Sequence, residues 1–410
     1  TLSAIIALEK YGEKYIADKG RSFLLSSFDE IDYKEKDTLG FELVAPELID
    51  EAQLNDLKKH EKFKQIIAKR DVKKILLGKS NEVLNSALYS YEYIIGKNKV
   101  LPVLPYTVHK KQSLGGSPAA TSAAIIAGKK NDSYFRYLDS IMDEKGGIPT
   151  VSPIDNFEII WCSYYLSLVN DIAFSSRVRI FAEVIADRWG ENGVSWSNDF
   201  PVPDLDDSAL AYKMIVQNGG NPGDSFLDFF EGEDCFKCYP FEKDSSISVN
   251  VHLIDAMKVS SNPERQKYIE KSLGYLRREF QESPKIYDKW HLSPLYSLSH
   301  AAITLIGIDD DLASKIIKTI KCSQNEDGFW GEMGKSTGEE TAYALIALIK
   351  SGEALSGSYL ERTKKYLINC LDTKEYPELW IGKSLYTPIN VVETAIMCAI
   401  YMLEKINKNN

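Results

Sequence analysis

Gln324-Asn325-Glu326-Asp327-Gly328-Phe329-Trp330-Gly331 leads into Thr341-Ala342-Tyr343-Ala344-Leu345, the start of a run of small and apolar residues. The first part is polar and turn-forming, and the second repeats its apolar positions every three or four residues. A similar layout occurs twice earlier in the chain. Gln112-Ser113-Leu114-Gly115-Gly116-Ser117 precedes the helical run at 121–125, and Asn192-Gly193-Val194-Ser195-Trp196 precedes the run at 209–214. A loop-then-helix unit used several times predicts a solenoid closed on itself, an α/α barrel. In such a unit the Gln amide can satisfy orphan backbone groups at a helix end while the Trp packs over it. Polar loops between unrelated helices are the plain alternative, and the Q-x-x-D-G-x-W-G form fits it least.

The same periodicity extends outward from this stretch. Apolar residues recur at three- and four-residue spacing over 2–7, 119–127, 159–169, 342–349 and 391–402, with loops such as 218–222 and 325–328 between the helical runs. β-branched alternation is scarce, so the predicted fold is all-α. With 410 residues, 44% hydrophobic and 26% charged, the chain can build two domains with sizeable cores. Lys and Arg number 49 against 59 Asp and Glu, a net charge of −10. That balance excludes nucleic acid as the expected partner. An anionic small molecule is compatible only where lysines or a divalent cation gather locally. No window approaches eighteen uninterrupted apolar residues, so no stable membrane insertion is expected. No charged-then-apolar leader opens the sequence. Of the six cysteines only Cys235 and Cys238 form a C-x-x-C pair, and no second pair completes a zinc site. Reduced, structural cysteines in a cytoplasmic protein are expected.

Chemistry concentrates in Pro203-Asp204-Leu205-Asp206-Asp207-Ser208-Ala209-Leu210. Carboxylates this close cannot all ionise when buried, so at least one pKa must rise. A carboxylic acid kept protonated near neutral pH is what a Brønsted acid requires. A solvated N-terminal helix cap, where Asp is favoured anyway, explains the same letters without chemistry.

Further segments stand in order around this one: Gly40-Phe41-Glu42-Leu43 with Pro46; Gly146-Gly147-Ile148-Pro149 with Pro153, Asp155 and Phe157-Glu158-Ile159-Ile160-Trp161; and Leu379-Trp380-Ile381-Gly382-Lys383 with Leu385-Tyr386-Thr387-Pro388. Together with D-x-D-D they resemble the class II diterpene cyclases of bacterial, copalyl diphosphate synthase-like type, which are related to squalene–hopene cyclases. The resemblance covers nearly the whole chain. It implies two α/α-barrel domains, an inserted γ domain at about 1–153 and a β domain at 154–410 that carries the acid, with the site between them. Family members open with an S-x-Y-D-T-A-W segment that is not found here, which implies that the first β-domain helix is missing from this sequence.

The implied reaction is protonation-initiated cyclisation of geranylgeranyl diphosphate to a bicyclic diterpenyl diphosphate that keeps its diphosphate. Carried over residue by residue, the resemblance makes Asp206 the proton donor and Asp204 and Asp207 its supports. His252 matches the acid's hydrogen-bonding partner; taken without the resemblance it reads as a satisfied core histidine. Asp29, Glu30 and Asp32 match a segment associated with Mg²⁺, and their oxygens suit a hard cation. Lys73 matches the lysine that contacts the diphosphate, where a solvated lysine in a charge run is the plain alternative. Trp161 and Trp290 are candidates for an aromatic lining that stabilises carbocations. Tyr89 and Thr150 match the His and Asn that hold the terminating water in plant members making copalyl-type products. Neither is a good base, so a rearranged clerodane- or halimane-like product is as well supported as an unrearranged one. Class I motifs are broken: Asp309-Asp310-Asp311 has no further Asp at the required spacing, and Phe174 stands where Asn170-Asp171 would need a Ser. Loss of diphosphate is therefore not expected. The partners so implied are geranylgeranyl diphosphate, a downstream class I terpene synthase, and a second copy of the chain in a homodimer. Competing readings are a sesquiterpene (drimenyl-type) cyclase, a squalene–hopene-like cyclase, and a non-catalytic helical-repeat binding protein.

Overall fold

The computed structural model describes residues 2–28, 41–77, 89, 91–94, 113–128, 131–200, 202–240, 242, 245–283, 285–332 and 334–409. The chain divides into two compact units, one of residues 1–153 with 199–202, the other of 154–198 with 203–410.

Among the described residues the first unit contains α1 (Leu2–Lys10), α2 (Lys14–Ser27), α3 (Phe41–Glu51), α4 (Glu61–Leu77), the single turn α5 (Tyr91–Ile94), α6 (Pro118–Ile126) and α7 (Asp132–Ile141). Helix α1 packs on α2 and α3, α3 on α4 and α5, and α6 on α5 and α7. Ile5, Ala17, Ile49, Leu57, Phe63 and Ile66 form a buried cluster under the first four helices. Helix α6 starts where its sequence says it should: Ser117 accepts the Ala120 N–H at 3.1 Å, and Pro118 occupies the first turn, where its missing donor costs nothing.

In the second unit α8 (Asp155–Val169), α9 (Ile172–Arg188), α10 (Leu205–Gln217), α11 (Phe226–Phe230), α12 (Ile247–Met257), α13 (Arg265–Glu282), α14 (Pro294–Leu305), α15 (Asp310–Cys322), α16 (Gly338–Lys350), α17 (Gly357–Thr373) and α18 (Ile389–Asn409) follow one another. Helices α8, α10, α12, α14, α16 and α18 each pack on the next, and α18 packs back on α8, which closes a ring. The helices between them lie outside: α9 against α8 and α10, α13 against α12, α15 against α14, and α17 against α16 and α18. This is the α/α barrel that the repeats predict. The two kinds of helix differ in sequence as their positions demand. Every residue of α12 is buried, as expected for a helix with neighbours all round, whereas α13 buries only one stripe including Ile269, Leu273 and Leu276.

Inner helices begin with strong caps. Asp204, Ser246, Ser293 and Thr337 each accept a backbone N–H of the first turn of α10, α12, α14 and α16, and the Thr337 hydroxyl donates to Glu340 Oε2 at 2.9 Å. A short hairpin, β1 (Trp380–Ile381) and β2 (Leu385–Tyr386), pairs Trp380 with Tyr386. It is stitched to the segment before α14: the Ile381 N–H donates to the Trp290 carbonyl at 2.9 Å, and the Leu292 N–H to the Leu379 carbonyl at 2.8 Å.

The repeat element works differently from its sequence expectation. The Gln324 amide donates to the Gly328 carbonyl of its own loop at 2.7 Å and to the Tyr359 hydroxyl at 3.2 Å. It is Trp330 that reaches the helix end, donating its indole N–H at 2.8 Å to the Ile320 carbonyl in the last turn of α15. Gly331 is required beside it, because a Cβ there would lie 2.0 Å from the Lys335 carbonyl oxygen.

Candidate active site

The D-x-D-D stretch forms the first turn of α10, and the loop before it is held from two sides. Asp155, opening α8, accepts the Asn198 N–H at 3.1 Å and the Ser197 hydroxyl at 3.2 Å, and pairs with Arg188 at 2.9 Å. Asn156 donates to the Ser195 carbonyl at 2.8 Å. The other side is Ser208, whose hydroxyl accepts the Val194 N–H at 2.9 Å and donates to the Val194 carbonyl at 3.0 Å. Gly193 makes this approach feasible: its φ is +99°, and a Cβ there would sit 2.2 Å from Ser208 Oγ.

Asp204, Asp206 and Asp207 are all buried. Asp204 accepts the Asp207 N–H at 2.8 Å as helix cap. So the cap reading of this motif holds for Asp204, but solvation does not come with it. Burial, and after it the nearby Asp206 charge, push Asp204 up to about 7. Burial and the charges of Asp204 and Asp206 hold Asp207 well above the carboxylate range. Asp206 points to α12. Its Oδ1 lies 2.6 Å from His252 Nδ1, and its Oδ2 accepts the Ser248 hydroxyl at 2.9 Å. Ser248 and His252 are one turn apart on α12 and so share the face that meets Asp206. Asp288 fixes that helix end: its Oδ2 accepts the Ser248 N–H and the Ser246 hydroxyl, each at 2.8 Å, and its Oδ1 the Trp290 N–H at 2.9 Å.

Aromatic rings surround His252. Trp161 meets it edge-on at 5.6 Å and donates its indole N–H to the Tyr296 hydroxyl at 3.3 Å. Tyr164 stacks on His300 at 4.7 Å, and Tyr296 lies 4.6 Å from the same ring. The cage excludes water from the acid's partner, which strengthens each hydrogen bond within it.

The structure therefore joins Asp204, Asp206, Asp207, His252 and Trp161. Trp290 is half-buried with Lys289 Nζ 5.0 Å from its ring, and it reaches the acid only through Asp288 and Ser248. In the first unit Tyr89 packs edge-on against Phe200 at 5.9 Å, and Thr150 is exposed. Asp29, Glu30 and Asp32 lie outside the described residues, as does the side chain of Lys73, whose backbone belongs to α4. Among the described residues no group of three or more His, Cys, Asp or Glu side chains is placed to hold a metal ion. All six cysteines are free, and no helix among the described residues is long and apolar enough to cross a membrane. Sequence reasoning missed Ser248, Tyr165, Asp288, Tyr296, His300 and Glu339. Only Ser248 left a signal, its four-residue spacing from His252.

Comparison with known proteins bears on this arrangement. A type B diterpene cyclase of Mycobacterium tuberculosis is 30% identical to the chain over 401 residues, 92% of this chain and 78% of that protein. The chain belongs to the class II diterpene cyclases. Residues 242–381 match the squalene-hopene cyclase C-terminal domain, a span that contains Ser248, His252, His300 and Glu339. A copalyl diphosphate synthase of Streptomyces cyslabdanicus is 27% identical over 311 residues, 71% of this chain but only 58% of that enzyme. The fold is similar to that of an ent-copalyl diphosphate synthase from Streptomyces platensis, with a TM-score of 0.72 at 23% identity over 90% of this chain and 77% of that one.

For this cyclase the raised Asp204 has a consequence for stability. Its pKa goes from an ordinary 3.8 to about 7 on folding, so between those values the native state holds a proton that the unfolded chain has lost. Stability from this group is complete below pH 4 and is lost as pH rises through about 7. Asp204→Asn should remove its share of the slope, while Asp207, raised chiefly by its own burial, keeps a slope of the same sign in both proteins. His300, held below its usual value by burial, acts in the opposite sense, losing stability as pH falls, but it is common to both proteins and cancels. Denaturant unfolding at several pH values checks this: wild-type stability minus variant stability should decline from pH 4 to 7, and a flat difference would contradict it.

Proposed function

We propose that this enzyme cyclises geranylgeranyl diphosphate by protonating its terminal alkene, with Asp206 as the acid and the diphosphate retained. The observation that carries the reading is the placement of Asp206: buried, within 2.6 Å of His252 and 2.9 Å of Ser248, beside two carboxyls held up by burial. The Asp206 O–H bond breaks as the alkene π pair forms a C–H bond, and the electron pair left behind becomes the carboxylate. Attack of the following alkenes on the resulting cation closes two rings. Loss of a proton from the bicyclic cation then ends the reaction, so substrate and product are isomers. A carboxylate left in a dry site is stabilised by the donors facing it, and stabilising developing charge is the usual route to rate.

Asp29, Glu30 and Asp32 match the family's Mg²⁺-associated segment, and their carboxylate oxygens would suit that cation, which when bound would neutralise diphosphate charge. Lys73 would contact the same group, and Lys73→Ala should weaken substrate binding more than the chemical step. The deciding experiment is incubation with geranylgeranyl diphosphate and Mg²⁺, then phosphatase treatment and mass spectrometry. Formation of an isomeric cyclic diterpene alcohol supports the reading. Turnover of farnesyl diphosphate alone would move it to a sesquiterpene cyclase.

A finer question is how the reaction stops. By resemblance Tyr89 and Thr150 match the His and Asn that hold a water in plant enzymes, and a phenol of ordinary pKa near 10 is a poor base. If the cation therefore lives long enough for hydride and methyl shifts, a clerodane- or halimane-like skeleton results; an unrearranged copalyl-type product is the equally supported alternative. NMR of the dephosphorylated product tests this. An unshifted labdane skeleton would show that another residue anchors the water.

A further inference from the structure

Behind His252 the buried hydrogen bonds continue. His252 Nε2 lies 2.7 Å from His300 Nδ1, and His300 Nε2 lies 2.9 Å from the Tyr165 hydroxyl. All three side chains are fully buried. Burial holds His300 well below the ordinary imidazole range, so it carries a single N–H. Burial likewise keeps Tyr165 a phenol with a proton to give. Beyond it, Tyr343 also faces the Tyr165 hydroxyl, and its own proton goes to Glu339 Oε1 at 2.8 Å. That oxygen also accepts the Trp380 indole N–H at 2.8 Å. It lies 3.2 Å from His291 Nε2.

Resting on the reading of Asp206 as the acid, we infer that Tyr165 and His300 are positioning residues that lock His252 in the tautomer with its N–H on Nδ1, aimed at Asp206. The Tyr165 O–H donates to His300 Nε2, which leaves the His300 proton on Nδ1. That N–H donates to His252 Nε2, which leaves the His252 proton on Nδ1, and this last N–H donates to Asp206 Oδ1. Each bond in the file holds one proton, and the file ends as a donor at the carboxyl. When Asp206 has given up its proton, its carboxylate meets the His252 N–H on one oxygen and the Ser248 O–H on the other. In the opposite polarity His252 Nδ1 would be a bare lone pair 2.6 Å from the acid. It would then compete with the alkene for the very proton the reaction needs. The tautomer thus decides whether His252 assists the acid or traps its proton.

Nitrogen NMR of the histidine-labelled protein reads the tautomer directly, and with five histidines in the chain a His252→Asn comparison assigns the signal. Wild-type His252 should show a protonated Nδ1 and a bare Nε2. His300→Leu and Tyr165→Phe should give His252 a mixed or reversed tautomer. Both should lower kcat with geranylgeranyl diphosphate and Mg²⁺ by about 10- to 100-fold, with KM little changed, as for other groups that orient a working imidazole. His300→Asn, whose amide places a donor where Nδ1 stood, should recover most of the rate. Wild-type His252 with its proton on Nε2 overturns the inference, whether or not any variant folds. So does a folded His300→Leu protein with full turnover. Asp206→Asn separates the two claims: a fully active Asp206→Asn sinks the acid assignment itself. An inactive Asp206→Asn beside a fully active His300→Leu sinks only the lock.

Discussion

Asp206→Asn should bring cyclisation down by at least about 10²–10⁴-fold while the protein stays folded. Asn has nearly the same shape and can still accept the Ser248 hydroxyl, so the packing between α10 and α12 is kept. It has no acidic proton, and nothing else at the first turn of α10 can replace it. Asp204 and Asp207 carry protons near neutral pH for another reason, burial, and they face each other across the helix cap rather than His252. Asp207→Asn exchanges one neutral donor for another and should therefore cost less than Asp206→Asn. The measurement is product formation from geranylgeranyl diphosphate beside thermal unfolding of both variants. Near-normal turnover of a folded Asp206→Asn protein would mean that the proton comes from elsewhere.

The barrel was legible because its periodicity is local. Caps such as Ser117, Asp204 and Thr337 lie within three residues of the N–H they satisfy, and the buried faces of α12 and α16 recur along a single helix. Asp206 was legible because three carboxyls in one turn are unusual, and their burial then raises two of them as electrostatics requires. His252 was legible through family resemblance, since a lone histidine on an apolar helix carries no signal of its own. The remainder of the site was not legible, because ring closure alone brings it together. Tyr165 on α8, His300 on α14 and Glu339 on α16 are separated by long stretches of chain and become neighbours only when α18 packs back on α8. Gln324 shows a different limit. Its donor role was foreseen, but which carbonyl it would reach depended on the path of a loop.

Trp330→Ala should destabilise the protein by about 3–5 kcal/mol, the usual cost of deleting a large buried aromatic. Trp330 is among the largest fully buried side chains, and it joins two helices through three bonds. Its indole N–H bonds to Ile320 at the end of α15, its backbone N–H to the Thr341 hydroxyl at 3.1 Å, and its carbonyl accepts the Thr337 N–H at 2.8 Å at the start of α16. The alanine variant keeps the two backbone bonds and loses the ring and the indole bond. It leaves a cavity where a fully buried indole stood. Trp330→Phe separates the two contributions, since it keeps most of the packing and deletes the N–H, for about 1–2 kcal/mol. Denaturant unfolding of both variants gives the comparison. Because α16 carries Glu339 next to the Thr337 cap that Trp330 holds, the same substitution should also loosen the buried bonds that reach Tyr343 and Trp380. Turnover should then fall in Trp330→Ala at temperatures where the protein is still folded. If Trp330→Ala costs less than about 1 kcal/mol, the repeat loop does not hold α15 to α16, and the closure of the barrel at this point must rest on the apolar faces of the inner helices alone.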